Sequence, residues 1–411
     1  MTKIIAIVFF LIFFIGSNVL NTLKIDNFTF FYLIVAMALG VLVMGFGNRS
    51  WKDRKYELAV LALIAFVIIY RMYAGILTDS LRSAAILFAT PLLYLLVPRE
   101  IRTKDDYLVK RKIVKIIIAF YVFECLLAVL EYALRTHFFL WIDTTFQSHL
   151  MSLRLRESFR SVALHGAPLS NALMVTVLSA FFITSSLKDK YKFALWGLGF
   201  VAVLAFNARM AIIVNLGFFG FYILKLLGNR RAQFTTKLFV YAASIAFFAV
   251  AAYLVFYQGL GDRLFKKELL DEASAQKRFD LFTIFDGHTV YDFLFGRSMR
   301  DFDLMKELAG LLIIENFWVC EIILFGGLFV AGMVVLYIKL LAPYVREYSF
   351  YNRMVICLSF ILLASTNNSL FTQYLPLLLF VICLNLFRPD TFKMILPPKY
   401  IDRYALTRPR R

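Results

Sequence analysis

Twelve stretches of this 411-residue chain read as apolar runs on the scale that crosses a bilayer's hydrocarbon core, a helix of roughly 17–25 residues. They occupy residues 4–20, 28–46, 57–77, 81–97, 113–134, 168–187, 193–206, 210–227, 238–257, 317–340, 354–365 and 374–387. With 61% hydrophobic and 18% charged residues, the chain exceeds the roughly half-apolar composition of soluble domains, which makes the bilayer its solvent. The fold class expected is all-α: a polytopic membrane protein with about 12 transmembrane helices and a large extracytoplasmic loop. One integral-membrane domain, 1–411, is expected, without internal repeats or linkers.

A net charge of +18 would suggest nucleic acid as the partner of a soluble protein. Here the cations fall in short connections beside the apolar runs and read as topology signals, so no nucleic-acid partner is expected. One set of connections is rich in them: Arg49 to Lys55, Arg99 to Lys112, Lys188 to Lys192, Lys225 to Lys237, Lys339 to Arg353, and the tail from Arg388. The alternate short connections carry only Lys24, Arg82 and Arg209. Both termini are therefore expected in the cytoplasm, and the two long connections, 135–167 and 259–316, on the outer face. Met1-Thr2-Lys3 leads into the first run without a small-residue cleavage site, so a first span rather than a signal peptide is expected. One continuous helix over 193–224 would be about 48 Å long, too long for a core of about 30 Å. A tight hairpin with Arg209 at its tip is the expectation. Cys125, Cys320, Cys357 and Cys383 lie inside apolar runs with no metal or redox spacing, which favours buried apolar roles.

The mixed-charge segment 259–316 is the feature that spanning and packing alone do not require. It carries Arg263, Arg278 and Arg297 and ends in Glu315-Asn316-Phe317-Trp318. The other outer segment ends in Arg154, Arg156, Arg160 and His165, before Gly166 and Pro168, which suit a turn into a helix. The alternative is an interfacial helix whose arginines snorkel to lipid phosphates. Arg71 and Arg209 lie within or between apolar runs, where a charge usually faces the bundle interior and a partner. For Arg71 the alternatives are a substrate role or an ion pair with Glu124, Glu131 or Glu321. Guanidinium groups gathered at an outer vestibule suit a pyrophosphate, because the planar fork binds phosphate oxygens bidentately and stays charged. Glu315 is placed to accept a proton from an attacking hydroxyl, or to act as counter-ion to an arginine. His165 is the rival base and His288 a weaker one. No metal-ligand pattern, nucleophile motif or phosphate-binding glycine loop stands out, so no metal or cofactor is expected.

In order and setting these motifs resemble the O-antigen ligase/Wzy-type polymerase superfamily of bacterial envelope glycosyltransferases. The resemblance covers about residues 154–340. It rests on Arg160-x5-Gly166-x-Pro168, on Asn207-Ala208-Arg209-Met210-Ala211, and on Arg278-Phe279-Asp280-Leu281-Phe282 followed by Phe295-Gly296-Arg297. Its last part is Glu315-Asn316-Phe317-Trp318 followed by Gly326-Gly327. Ala208 replaces the family's serine before Arg209, and Glu315 stands where the ligases carry a histidine base, a departure that favours a polymerase.

What the resemblance implies is a metal-independent, inverting glycosyl transfer at the outer face of the bacterial inner membrane. The donor would be a glycan on undecaprenyl pyrophosphate, the acceptor a second lipid-linked repeat unit, and a chain-length regulator a possible partner. Catalytic roles would fall to Glu315, Arg160 and Arg209; Arg278, Arg263, Arg297, His165, Asn316 and Arg71 would bind substrate. A ligase moving finished glycan onto lipid A-core or protein uses the same donor. A lipid-linked oligosaccharide flippase, the reading from another class, predicts charges spread through the membrane depth rather than gathered at one face.

Overall fold

The computed structural model describes residues 1–44, 54–73, 77–140, 159–228, 234–261, 284–285, 287–308, 314 and 316–397. Among the described residues the secondary structure is helical, with no strand. In chain order the helices are α1 (Thr2–Phe14), α2 (Ser17–Thr22), α3 (Asn27–Met44), α4 (Lys55–Tyr73), α5 (Leu77–Tyr94) and α6 (Lys104–Leu134). There follow α7 (Pro168–Thr184), α8 (Asp189–Phe206), α9 (Arg209–Gly228), α10 (Phe234–Gln258), α11 (Val290–Phe295) and α12 (Met299–Leu308). The last six are α13 (Phe317–Phe325), α14 (Gly327–Glu347), α15 (Phe350–Ser365), α16 (Ser369–Thr372), α17 (Leu375–Leu386) and α18 (Pro389–Ile395).

Among the described residues six helices are long and apolar enough to cross a membrane: α3, α4, α6, α9, α10 over Val240–Gln258, and α14. A seventh span results if α17 and α18, bent by 83° to one another, count as one. The chain is thus an all-helical polytopic membrane protein. Among the described residues each expected run overlaps a helix, but run and helix differ in length for local reasons. The first run breaks after Phe14, so α1 has 13 residues. α5 opens on Thr78, Asp79, Ser80, Arg82 and Ser83, which lower its hydropathy. The run 317–340 is interrupted at Gly326, which has φ +88° and separates α13 from α14.

Burial sorts the helices. α7 is enclosed over its whole length except Leu169, and α17 except Leu377; helices covered on all sides belong in the middle of a bundle. Around them α3, α4, α9, α10 and α14 leave apolar side chains such as Val43, Phe66, Phe221, Tyr253 and Ile338 exposed, a surface suited to lipid. Lipid tails are as apolar as leucine, so helix association depends on close packing and interhelical polar bonds, each about 0.6 and at most about 2 kcal/mol. Asn215 Nδ2 donates to Thr176 Oγ1 at 2.7 Å, joining α9 to α7. Tyr121 OH donates to Leu195 O at 2.7 Å, joining α6 to α8. Trp196 stacks on Phe219 with centroids 3.4 Å apart, and Phe193, Phe200 and Phe247 surround the indole.

The bundle has two distinct ends. At one, Glu57 accepts from Arg54 at 3.1 Å and from Arg99 at 3.1 and 3.2 Å. There Arg388 pairs with Glu347 at 2.6 Å and caps Arg99 O, while the Lys110 ammonium donates to Arg99 O and Asn385 Oδ1, both at 2.9 Å. Arg54, Arg99, Lys110 and Arg388 come from the connections that the sequence marks as cation-rich. Their common end closes the C-terminus of α5, where cations suit exposed carbonyls. The other end holds the turns after α6 and α8 and the starts of α7, α9 and α13.

Candidate functional site

At this second end a non-helical stretch, 159–167, lies inside the bundle. Irregular backbone at such a position is stable only if protein groups satisfy its N–H and C=O groups, and here they do. Ser161 N donates to Ala205 O at 3.1 Å, and Val162 N and Ala163 N donate to Glu131 Oε2 at 2.8 and 2.9 Å. Leu164 N reaches Glu124 Oε2 at 3.4 Å, and Gly166 N donates to Ser17 Oγ at 2.8 Å. The carbonyls are taken mostly by Asn18. Its Nδ2 donates to Val162 O and Ala163 O at 3.1 Å and to Gly166 O at 3.2 Å, while its own N–H donates to Leu164 O. Asn171 Nδ2 also donates to Val162 O. The break between α1 and α2 makes room, because a Cβ at Gly16 would collide with Leu164 O. Gly166 turns the chain at φ +52°, and Pro168 opens α7.

Arg160 and the Asn207 corner, separate motifs in the sequence, meet here. Arg160 Nε donates to Phe206 O at 3.0 Å, the carbonyl at the C-terminus of α8. Asn207 follows in the left-handed conformation, φ 54° and ψ 45°, and Arg209 is the first residue of α9. The hairpin expected over 193–224 thus has its corner at Asn207-Ala208. His165 lies on the inner side of the loop. Its Nε2 donates to Phe13 O at 2.8 Å, and its ring sits edge-on to Phe120 at 5.6 Å. Burial lowers its pKa to about 4, keeping the imidazole neutral. It is a strut between the loop and α1.

Arg71 and Arg297 occupy a second cluster at the same end of α4. Arg71, 1% exposed, donates to Leu324 O and to Arg297 O, the latter at 2.9 Å, and lies 5.4 Å from the Phe325 ring. Arg297 N donates to Ile323 O at 2.7 Å. Its guanidinium pairs with Asp292 at 2.7 Å and donates to Gly287 O at 3.1 Å. Asp292 also closes a capping box with Thr289. The Arg297 guanidinium and these Thr289 bonds hold its carboxyl well below the usual carboxylate range. His288, beside them, is lowered by burial and then by Arg297. Both arginines are thus engaged with protein groups.

Asn316 is the N-cap of α13; its Oδ1 accepts from Val319 N at 3.3 Å. Phe317 N donates to Asn367 O at 3.1 Å and Trp318 Nε1 to Ser365 Oγ at 2.8 Å. Ser170 Oγ donates to Ser369 Oγ at 2.9 Å, so the starts of α7 and α13 both dock on the turn between α15 and α17. Glu315, Arg263 and Arg278, with Arg154 and Arg156, lie outside the described residues. Among the described residues no three His, Cys, Asp or Glu side chains gather as a metal site would require. Sequence reasoning passed over Asn18 and Asn171, and weighed Glu131 only as a counter-ion for Arg71. The available signal was polar residues inside apolar runs. No protein-family model, no curated protein and no solved structure matches the chain.

Proposed function

We propose that the chain is a glycosyltransferase of the bacterial inner membrane that polymerises lipid-linked oligosaccharide repeat units at the outer face, across about twelve spans and with both termini in the cytoplasm. The observation that carries this reading is the meeting of Arg160 with the Asn207–Arg209 corner, at the end of the bundle opposite Arg54, Arg99, Lys110 and Arg388. By the positive-inside rule the cation-rich end is cytoplasmic, which puts the Arg160 corner outside. Arg160 and Arg209 there suit the two phosphates of an undecaprenyl-pyrophosphate donor.

In the reaction the acceptor hydroxyl oxygen attacks the anomeric carbon from the face opposite the pyrophosphate. The anomeric C–O bond breaks, its electron pair leaves with the pyrophosphate, and the hydroxyl proton passes to the Glu315 carboxylate. The guanidinium groups stabilise charge as it develops on the leaving pyrophosphate, the kind of contribution whose loss costs about 100- to 1,000-fold in turnover.

The test is incubation of purified protein with its native undecaprenyl-pyrophosphate repeat unit, followed by gel analysis. A ladder of longer lipid-linked glycans, absent from Arg160→Ala and Arg209→Ala, is expected. Transfer only after lipid A-core or a carrier protein is added would make the chain a ligase. No transfer in either case would remove the enzyme reading and leave lipid-linked glycan transport.

A further inference from the structure

We infer that Glu131 is the positioning residue of the Arg160 corner: one buried carboxylate holds the backbone at Val162 and Ala163 and so sets where the Arg160 side chain stands. The inference rests on the proposed function for what Arg160 binds, but its geometry is independent of it.

Glu131 sits in the last turn of α6 and is fully buried. Its Oε2 accepts Val162 N at 2.8 Å and Ala163 N at 2.9 Å, and its Oε1 accepts Phe138 N at 3.2 Å. The carboxylate therefore grips the chain twice, as it leaves α6 and as it returns toward α7. Two successive N–H groups converge on one oxygen, and the chain turns directly after them at Ala163, whose φ of +42° is unusual for a residue with a Cβ. Successive N–H groups turned to one point form a concavity that binds anions, and here the anion is a side chain of the same protein.

From this grip to the guanidinium the chain is bonded at each step. Ser161 N donates to Ala205 O at 3.1 Å and Ser161 Oγ to Ala128 O at 2.6 Å. Arg160 O accepts from His137 Nε2 at 2.9 Å, and Arg160 Nε donates to Phe206 O at 3.0 Å. Buried and bonded to backbone N–H groups, Glu131 acts through Arg160. A carboxylate accepts at both oxygens, whereas a glutamine keeps one acceptor and turns its NH2 group toward the N–H groups on the other side of the grip. Backbone bonds to a charged acceptor are also about twice as strong as those to a neutral one.

The test uses the full chain in lipid nanodiscs, with undecaprenyl pyrophosphate as the binding probe and hydrogen exchange as the ligand-free readout. In Glu131→Gln, amides 162–164 should exchange at least about tenfold faster, while Pro168–Thr184 keeps its protection. Affinity for the probe should fall roughly tenfold or more. The double variant with Arg160→Ala should bind no more weakly than Arg160→Ala alone, since Glu131 acts through that side chain. Unchanged exchange at 162–164, or losses that multiply in the double variant, would overturn the inference. If the wild type does not bind the probe, the pyrophosphate reading of Arg160 falls, and the exchange comparison alone decides the role of Glu131. Should Glu131→Gln not fold, Glu131→Asp keeps the charge but draws it back from the loop, and the same criteria apply.

Discussion

Gly296 and Gly326 are packed back to back: a Cβ on Gly296 would stand 2.8 Å from Gly326 N, and one on Gly326 would stand 2.6 Å from the carbonyl carbon of Phe295. Both are in the left-handed region, at φ +81° and +88°. The Phe295-Gly296-Arg297 and Gly326-Gly327 motifs, distant in the sequence, are thus a single backbone crossing. Neither position has space or a suitable φ for a side chain, and the obstructing atoms are backbone. Gly326→Ala should destabilise by about 2–4 kcal/mol, read as the midpoint of thermal unfolding in detergent. Gly220→Ala is the contrast, since a Cβ there meets nothing within 4 Å inside α9. It should stabilise by about 0.5–1 kcal/mol. Equal effects at the two positions would remove the crossing as a constraint.

Arg71 completes the same crossing by bonding a carbonyl from each side, Leu324 O and Arg297 O. Arg71→Met leaves those carbonyls without their donor and should cost about 2–5 kcal/mol of stability. Arg71→Lys keeps the charge but loses the planar fork that spans two acceptors, so an intermediate loss is expected. Specific activity per folded molecule of Arg71→Lys should match the wild type. A loss of activity with an unchanged unfolding midpoint would return Arg71 to substrate binding.

The Arg297–Asp292 pair gives a pH-dependent local stability. The Asp292 pKa is lowered in the folded chain, first by Arg297 and then by Thr289. A lowered carboxylate pKa stabilises the fold above its ordinary value, near 4, and that contribution is lost as the pH falls toward the folded value. Relative to intrinsic amide exchange at each pH, hydrogen exchange of α11 should therefore be steady from neutral pH to about pH 4 and accelerate below it. Arg297→Ala brings the folded pKa back toward the ordinary value and should flatten the change below pH 4, and an unaltered profile would deny the coupling.

The parts of this architecture that local sequence dictates were legible. Asn207-Ala-Arg209 interrupts a run too long for one helix, and the chain turns there. The cation-rich connections do gather at one end, through Arg54, Arg99, Lys110 and Arg388. Pro168 opens α7 as its residue type suggests. What was not legible depends on tertiary partners. For Arg71 the sequence offers carboxylates as partners, yet in the fold it bonds the carbonyls of Leu324 and Arg297, which no sequence pattern displays. Asn18 lies in what reads as one uninterrupted span, and its use in holding a distant loop appears only once α1 and α2 separate. Hydropathy also overstated some spans, because a run counts apolar residues whether or not one helix contains them.

His165 provides a test at the loop itself. Its pKa falls from an ordinary value near 6.5 to about 4 because burial disfavours the imidazolium, so the folded state favours the neutral ring. A lowered histidine pKa contributes stability that is complete above about pH 6.5 and is lost as the pH falls through 4. The full contribution is at most about 3 kcal/mol. Glu124 and Glu131 of α6 bond the neighbouring N–H groups, so the comparison is made between variants, and the difference isolates the histidine. His165→Gln can still donate to Phe13 O but cannot charge. Its unfolding midpoint should decline less than that of the wild type between pH 6.5 and 4, with the two curves parallel above pH 7. Turnover should show no inflection near 6.5 from this residue, since a ring of pKa about 4 is a poor proton acceptor at neutral pH. An inflection near 6.5 that vanishes in His165→Gln would make His165 the base in place of Glu315.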